Sequence, residues 1–394
     1  MEGVMAWGAR DVGESRIEFV IRASSGKETI ATLCREFEIS RDTGYRWLKR
    51  YQKRGRIVDV TELSRKPHHS PGKTAKALER RVVALRCKYG WGARKLEVLL
   101  QRENLTLPVS TINRIIKRNN LLCEEDCHTP ALKRFERKNP NELWQTDFKG
   151  PMRYLDGTCT PLSMIDDCSR FIVGLHPLEK TTTEVVQDCF RATFEAFGLP
   201  RAILFDHGAP WWGTAHECGL TRLSVWLMNQ DIELIFGAYR HPQTQGKVER
   251  FHRTLEETVR HKGKPEKWDD WRPLLKEVVH EYNNIRPHES LGMAVPASRY
   301  KKSSREFRTE PESWEYPSKI GSVLKLDSLG RVMYRGMRFF ISEALAYQYV
   351  QFIELEYSTL VAYRHMYVRE VNPRTGAAAP VLAPARLQQL SGMS

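Results

Sequence analysis

Apolar positions recur at helical spacing through the first third of the chain and in short strand-like runs through much of the rest. Ile30, Leu33, Cys34 and Phe37 fall at i, i+3, i+4 and i+7, one apolar stripe of a helix. Glu38-Ile39 interrupts it. Ser40 can cap a new helix whose inner face is Gly44, Trp47, Leu48 and Tyr51, with Asp42, Arg46, Lys49 and Lys53 on the opposite face. Residues 15–55 therefore read as three short helices. They are a helix-turn-helix with a basic outer helix, or an ordinary three-helix bundle with a solvated charged face. A polar linker with Pro67, His68, His69, Pro71 and Gly72 follows. The design then repeats over 75–121. Leu78, Val82 and Leu85 form one stripe, and Leu96, Leu99 and Leu100 another. Ser110 can cap a last helix with Ile112, Ile115 and Ile116 inward and Arg114, Lys117 and Arg118 outward. Two such modules read a longer site than one.

From residue 143 the character changes. Strands are expected at 143–149, 160–165 and 171–176, with a hairpin turn at Asp156-Gly157. A helix at 181–197, a buried strand at 202–205, a helix near 220–230 and a strand at 232–236 follow, then helices across 246–262 and 268–284. That order gives a mixed sheet with helices on it, an α/β layered domain over 142–300. Residues 301–320, with Pro311 and Pro317, read as a linker. Short alternating segments with turns at 327–330 and 335–336 predict a small all-β barrel over 320–372. Residues 373–394, rich in Ala and Pro, are expected to be disordered.

Charge sharpens this division. The 394 residues carry 62 Lys+Arg against 48 Asp+Glu, a net +14. Residues 1–140 hold 30 and 17, a balance of +13; residues 141–394 hold 32 and 31, a balance of +1. A basic front part on a near-neutral remainder suggests a polyanion-binding module joined to something else. The connector 122–141 is itself basic, with Lys133, Arg134, Arg137 and Lys138. Cys123-x3-Cys127-His128 within it lacks an evident fourth ligand, so zinc is not expected there. No apolar run approaches ~18 residues, which excludes a membrane-spanning helix. An early acid and the lack of a long apolar run make Met1-Glu2-Gly3-Val4 unlike a secretory signal, and eight scattered cysteines read as reduced cytosolic thiols.

Candidate chemistry lies in three acids. Strands are depleted in Asp, yet Asp147 sits in Trp144-Gln145-Thr146-Asp147-Phe148, sharing a face with Gln145. Asp206 ends the apolar run Ala202–Phe205, at the carboxyl edge where α/β sheets put their sites. Glu249 sits early in a helix after Gly246. Two strand aspartates and a helix glutamate could hold two Mg²⁺ ions ~3.5–4 Å apart, or they are three surface carboxylates. Asp166 and Asp167 compete as ligands, with a strand-end turn the favoured reading. Lys247, Arg250 and Arg253 flank Glu249, as phosphate contacts or as partners in helix salt bridges. Trp211-Trp212 read equally as a base-stacking platform and as a buried wall.

Three strings then resemble the retroviral-integrase-type core: Trp144–Phe148, Phe205-Asp206-His207-Gly208, and Pro242–Phe251 with its Gln243-x-Gln245-Gly246-x-x-Glu249 spacing. Tyr282-Asn283-Asn284-Ile285-Arg286-Pro287-His288, then Leu291-Gly292 and Pro296, belong with them, as does Trp91-Gly92-Ala93-Arg94-Lys95-Leu96. Over roughly residues 28–300 the chain resembles a bacterial insertion-sequence transposase of this class. The resemblance implies a ribonuclease-H-like fold, with Asp147, Asp206 and Glu249 as the ligands of two Mg²⁺ (or Mn²⁺) ions. It also implies cleavage and transfer of double-stranded DNA at the element's ends, a dimer or larger homo-oligomer, and a cytoplasmic, nucleoid-associated place. The alternative is a domesticated, non-catalytic DNA-binding regulator, which would lose an acid. Two departures stand out: His207 occupies the family's usual Asn position, and the 42 residues between Asp206 and Glu249 exceed the usual gap.

Overall fold

The computed structural model describes residues 12–55, 60, 74–122, 136–213, 219–237, 246–317 and 320–384. It divides into two units, 1–74 and 75–394. The Cys123, Cys127 and His128 group and the Gln243–Gln245 part of the spaced string lie outside the described residues.

The first unit is three helices, α1 Val12–Ser24, α2 Ile30–Glu36 and α3 Arg41–Arg54. Thr29 and Ser40 cap α2 and α3, accepting from the Thr32 and Thr43 amides at 3.3 and 3.1 Å. Phe19, Leu33, Cys34 and Trp47 close its core. Gly44 is buried between them, where a Cβ would lie 2.6 Å from Cys34 Sγ and 2.8 Å from Phe19 Cζ.

The second unit opens with α4 Lys76–Tyr89, α5 Ala93–Arg102 and α6 Val109–Arg118, packed on Leu85, Leu96, Leu100, Ile112, Ile115 and Ile116. Pro108, not Ser110, holds the cap position of α6, and no side chain caps that helix. A proline can lead a helix start because it fixes an extended entry without needing an amide.

Behind it stands a five-stranded sheet in the order β5-β4-β1-β6-β7. Its strands are β1 Trp144–Phe148, β4 Leu162–Asp166, β5 Ile172–His176, β6 Ala202–Phe205 and β7 Glu233–Phe236; β2 Met152–Tyr154 and β3 Gly157–Cys159 form a hairpin beside it. β1 runs antiparallel to β4 and parallel to β6, and β6 parallel to β7. One face packs Trp144, Met164 and Phe205 under α7 Thr183–Phe197 and α8 Arg222–Asn229. The other packs Ile165 and Ile172 under α9 Gly246–Lys262 and α10 Trp271–His280. This is the mixed, layered α/β domain the sequence predicts, with the Asp156-Gly157 turn closing the small hairpin.

Three expectations need correction beyond this domain. The stretch read as a linker is bound to the sheet domain through its described residues Arg305 and Phe307. Arg305 donates to the carbonyls of Pro200, Gln230 and Asp231, and Phe307 packs on Phe194 and Trp226. The C-terminal strands do not close a barrel among the described residues. They form an open sheet, β14-β13-β12-β11-β8, and a separate ribbon of β9 Arg331–Tyr334 with β10 Met337–Phe340. The sheet's members are β8 Ser322–Lys325, β11 Tyr349–Glu354, β12 Thr359–Tyr363, β13 Met366–Val371 and β14 Ala378–Pro384. That last strand lies inside the stretch expected to be disordered. It pairs with β13 from Val371↔Ala378 to Met366↔Pro384, across a turn in which Asn372 Oδ1 accepts from the Arg374 and Thr375 amides.

Candidate functional site

Strand register sets the site. Trp144 pairs with Ile203 and Gln145 with Leu204 in the parallel β1·β6 ladder. Asp147 and Asp206 each follow the last of these paired residues by two positions, and the Asp206 charge acts on Asp147. Helix α9 starts above the same edge, its Val248 amide donating to Gln145 Oε1 at 3.3 Å. Glu249 follows and is exposed.

These acids act on one another. Burial, then the charges of Asp206 and Glu249, push the Asp147 carboxyl up to about 7, while the Phe148 amide, 2.8 Å from Oδ1, pulls the other way. Among the described residues, no group of three or more His, Cys, Asp or Glu is close enough to hold a metal ion as it stands. A divalent ion bound among three carboxylates would offset their mutual repulsion. The all-oxygen set suits Mg²⁺ or Mn²⁺, so the residues present fit the ion.

Of the supporting residues, Trp211 takes one of the two readings the sequence offers, the buried wall, while the sequence reading holds no role for His252. Asp206 Oδ1 accepts from Trp211 Nε1 at 2.7 Å and from the Gly208 amide at 3.1 Å. Trp211 is fully buried and stacks on Phe148, ring centroids 4.8 Å apart at 12°. It is therefore a wall that orients Asp206, not a platform for a base. Trp212 sits edge-on to His207, 4.7 Å away. His252, one turn beyond Glu249, places Nδ1 3.7 Å from Asp147 Oδ2 and hydrogen-bonds Ser163 Oγ at 3.0 Å. Burial pushes its imidazole down to about 4, so the ring beside Asp147 is neutral and the pair is not ionic at neutral pH. A spacing of three residues after Glu249 was the available signal for His252, because it shares that helix face.

Asp166 and Asp167 make the strand-end turn. Asp166 accepts from the Asn141 and Ser169 amides and the Ser169 hydroxyl, at 2.6–2.8 Å. Asp167, fully buried, accepts from the Arg137 amide, from Gln145 Nε2 and from the Lys247 ammonium, which also reaches its carbonyl. Lys247 is thus an internal anchor of α9, and the phosphate contact expected of it is corrected. A buried carboxylate such as Asp167 is costly to leave without a cationic partner, and Lys247 supplies one beside the two hydrogen bonds. Arg250 is exposed. In the helical modules, Arg46, Lys49, Lys53, Arg114, Lys117 and Arg118 are all exposed, but Arg118 pairs with Glu79 at 2.7 Å and Arg114 with Thr111 Oγ1 at 3.1 Å.

Comparison with known proteins agrees with this layout. Residues 137–242 and 230–296 match family models described as integrase core domain. Residues 15–68 match a helix-turn-helix domain and 43–116 a homeodomain-like domain. The chain is 25% identical to the Gag-Pol polyprotein of baboon endogenous virus over 255 residues, 61% of this chain and 14% of that one. It is 31% identical to the Gag-Pol polyprotein of avian reticuloendotheliosis virus over 146 residues, 36% of this chain and 12% of that one. The chain thus spans about a seventh of such relatives. Among solved structures it is similar to the HTLV-2 integrase catalytic core domain in complex with magnesium, dimeric form, at 14% identity and TM-score 0.32, covering 41% of this chain and 97% of that one. It is also similar to the simian T-cell lymphotropic virus intasome in complex with PP2A regulatory subunit B56 gamma, at 13% identity and TM-score 0.39, covering 77% and 95%. Residues 137–296 thus resemble the integrase core domain, behind a front part that resembles helix-turn-helix and homeodomain-like domains. No described helix is long and apolar enough to cross a membrane.

Proposed function

We propose that the chain is a DNA transposase of the bacterial insertion-sequence kind, binding the ends of its own element through the helical modules and cutting and joining strands at Asp147, Asp206 and Glu249. One observation supports the reading: Asp147 and Asp206 follow the paired ends of β1 and β6, and the first turn of the helix bearing Glu249 is hydrogen-bonded to Gln145 of β1. Those three carboxylates would hold the divalent ions, two of them, which when bound activate a water or 3′-hydroxyl and stabilise the leaving oxygen. The chain's own residues do the rest. Trp211 and the Gly208 amide fix the Asp206 carboxylate, and Gln145, Asp167 and Lys247 fix the first turn of α9. Neutral His252 covers the inner side of Asp147 without adding charge. Joining two ends in concert calls for a dimer or larger assembly.

The test is a labelled duplex carrying the inverted repeats that flank the gene, with Mg²⁺ or Mn²⁺. Asp147→Asn, Asp206→Asn and Glu249→Gln should each abolish cleavage and joining while leaving duplex binding intact. Near-wild-type cleavage by any of them refutes the triad. Asp156→Asn, at the exposed hairpin turn, is the silent control; Asp166 is unsuited, because its carboxylate holds three donors.

A further inference from the structure

The second helical module meets the sheet domain along a seam. Ile285 packs against the α4–α6 core, Arg102 Nη1 donates to the Ile285 carbonyl at 2.9 Å, and His261 Nε2 donates to the Cys87 carbonyl at 2.8 Å. Trp91 lies in this seam, 5% exposed, stacked on Tyr89 and carrying the Arg286 guanidinium 5.3 Å over its ring. Its indole N–H is buried without an acceptor among the described residues. Helix α5 begins here. Gly92 caps it with no side-chain bond, and no atom lies within 4 Å of where a Gly92 Cβ would stand.

The seam gathers the unpartnered Trp91 N–H and the cations Lys95 and Arg286, with Glu257, Glu281 and Glu289 acting on them only through space. Among the described residues Lys95, Arg250 and Arg286 make no ion pair, and Arg286 has only the Trp91 ring beneath it. Burial, then the Arg286 charge, push the Lys95 ammonium down to about 7, with Arg250 adding and Glu289 and Glu257 opposing. Burial also lowers Arg286, with Tyr282, Glu257 and Glu281 opposing and Arg250 adding least. Lys95 and Arg286 are half-buried cations that repel one another, which is costly, and an anion seated between them removes the cost; Arg250 is exposed beside them.

We propose that Lys95, Arg250 and Arg286 form a binding site for one phosphodiester group of the DNA backbone, at the seam between the second helical module and the catalytic sheet. The proposal rests on the DNA-transposase reading for its ligand. A guanidinium fork, a point ammonium and the open start of α5 suit a tetrahedral oxyanion. The site joins a DNA-binding module to Arg250, the residue next to Glu249, so a phosphate held there would register the duplex against the acids.

The test uses the full chain with Asp147→Asn to prevent cutting, alone or combined with Lys95→Gln, Arg286→Gln or both. Thermal midpoints are measured with and without tripolyphosphate, and duplex affinity is measured across salt. Tripolyphosphate should raise the midpoint of the parent and not that of the double variant. Each single substitution should weaken binding several-fold on specific and unrelated sequences alike, and flatten the salt slope by about one. Each variant's own midpoint should be no lower than the parent's, since an unpaired, desolvated cation has been removed. Unchanged affinity and slope overturn the proposal, as does weaker binding with an unchanged slope and a lower midpoint. A tripolyphosphate response without a DNA effect shows an anion site whose ligand is not DNA, and also overturns it. Parent protein that binds no duplex at all fails the transposase reading instead.

Discussion

Trp211 ties the two strand acids together through one indole, donating to Asp206 while its ring lies flat on Phe148, the neighbour of Asp147. Trp211→Phe keeps an aromatic ring on Phe148 and removes the donor. Loss of an outer partner of a ligating carboxylate costs roughly 10–100-fold in metal affinity. The variant should therefore need roughly that much more Mg²⁺ for half-maximal cleavage, and excess Mg²⁺ should restore the rate. A rate depressed equally at every Mg²⁺ concentration would assign Trp211 to packing alone. At this scale the acids were legible because Asp is out of place in a strand and at a strand's carboxyl end. Their partners were not. Which of two tryptophans turns inward depends on Phe148 of strand β1, and whether Lys247 meets a phosphate or Asp167 depends on a contact 80 residues away in the chain. Linear spacing carries no signal for that.

Among the elements, α3 shows how closely local pattern and packing agree. The stripe Gly44, Trp47, Leu48 and Tyr51 faces inward as its spacing requires, and the small residue stands where α1 and α2 approach. Alanine is ordinarily better than glycine inside a helix, by ~1 kcal/mol. Here its methyl would enter the space of the Cys34 sulfur and the Phe19 ring, an overpacking that costs about 1–3 kcal/mol. Gly44→Ala should lower the unfolding midpoint of the first helical unit and weaken duplex binding with it; a raised midpoint would show that Phe19 and Cys34 yield freely. Helices with a strong apolar stripe were readable because their period is set by local geometry. The short strands of the ribbon and of most of the C-terminal sheet were readable from their alternation, but their open arrangement and β14 were not, since short strands take their partners from the edge they join. The Ala-rich stretch 378–384 has little strand character of its own and is fixed by β13.

Across the second unit, the C-terminal strands and the sheet domain share a single apolar cluster, in which Leu326, Tyr334, Phe352 and Tyr363 belong with Phe194, Trp211 and Leu223. Polar contacts reinforce it: Tyr363 Oη to Asn229 at 2.6 Å, Arg364 to Asp231 at 3.1 Å, and His365 Nε2 to the Ile232 carbonyl at 3.0 Å. A chain ending at residue 319 would expose that face. It should lose stability and aggregate, rather than fold normally and fail only at pairing ends. Recovery of a monodisperse, cooperatively unfolding truncated protein would show the two layers to be independent. Composition marks a boundary near residue 320 because polar and Pro residues gather there, while the packing across it depends on side chains that no linear window brings together. Covalent continuity through that stretch is thus the lesser of the two bonds between these layers. A protease that nicks the chain between Arg308 and Tyr316 would leave two polypeptides travelling as one particle, parted only by denaturant.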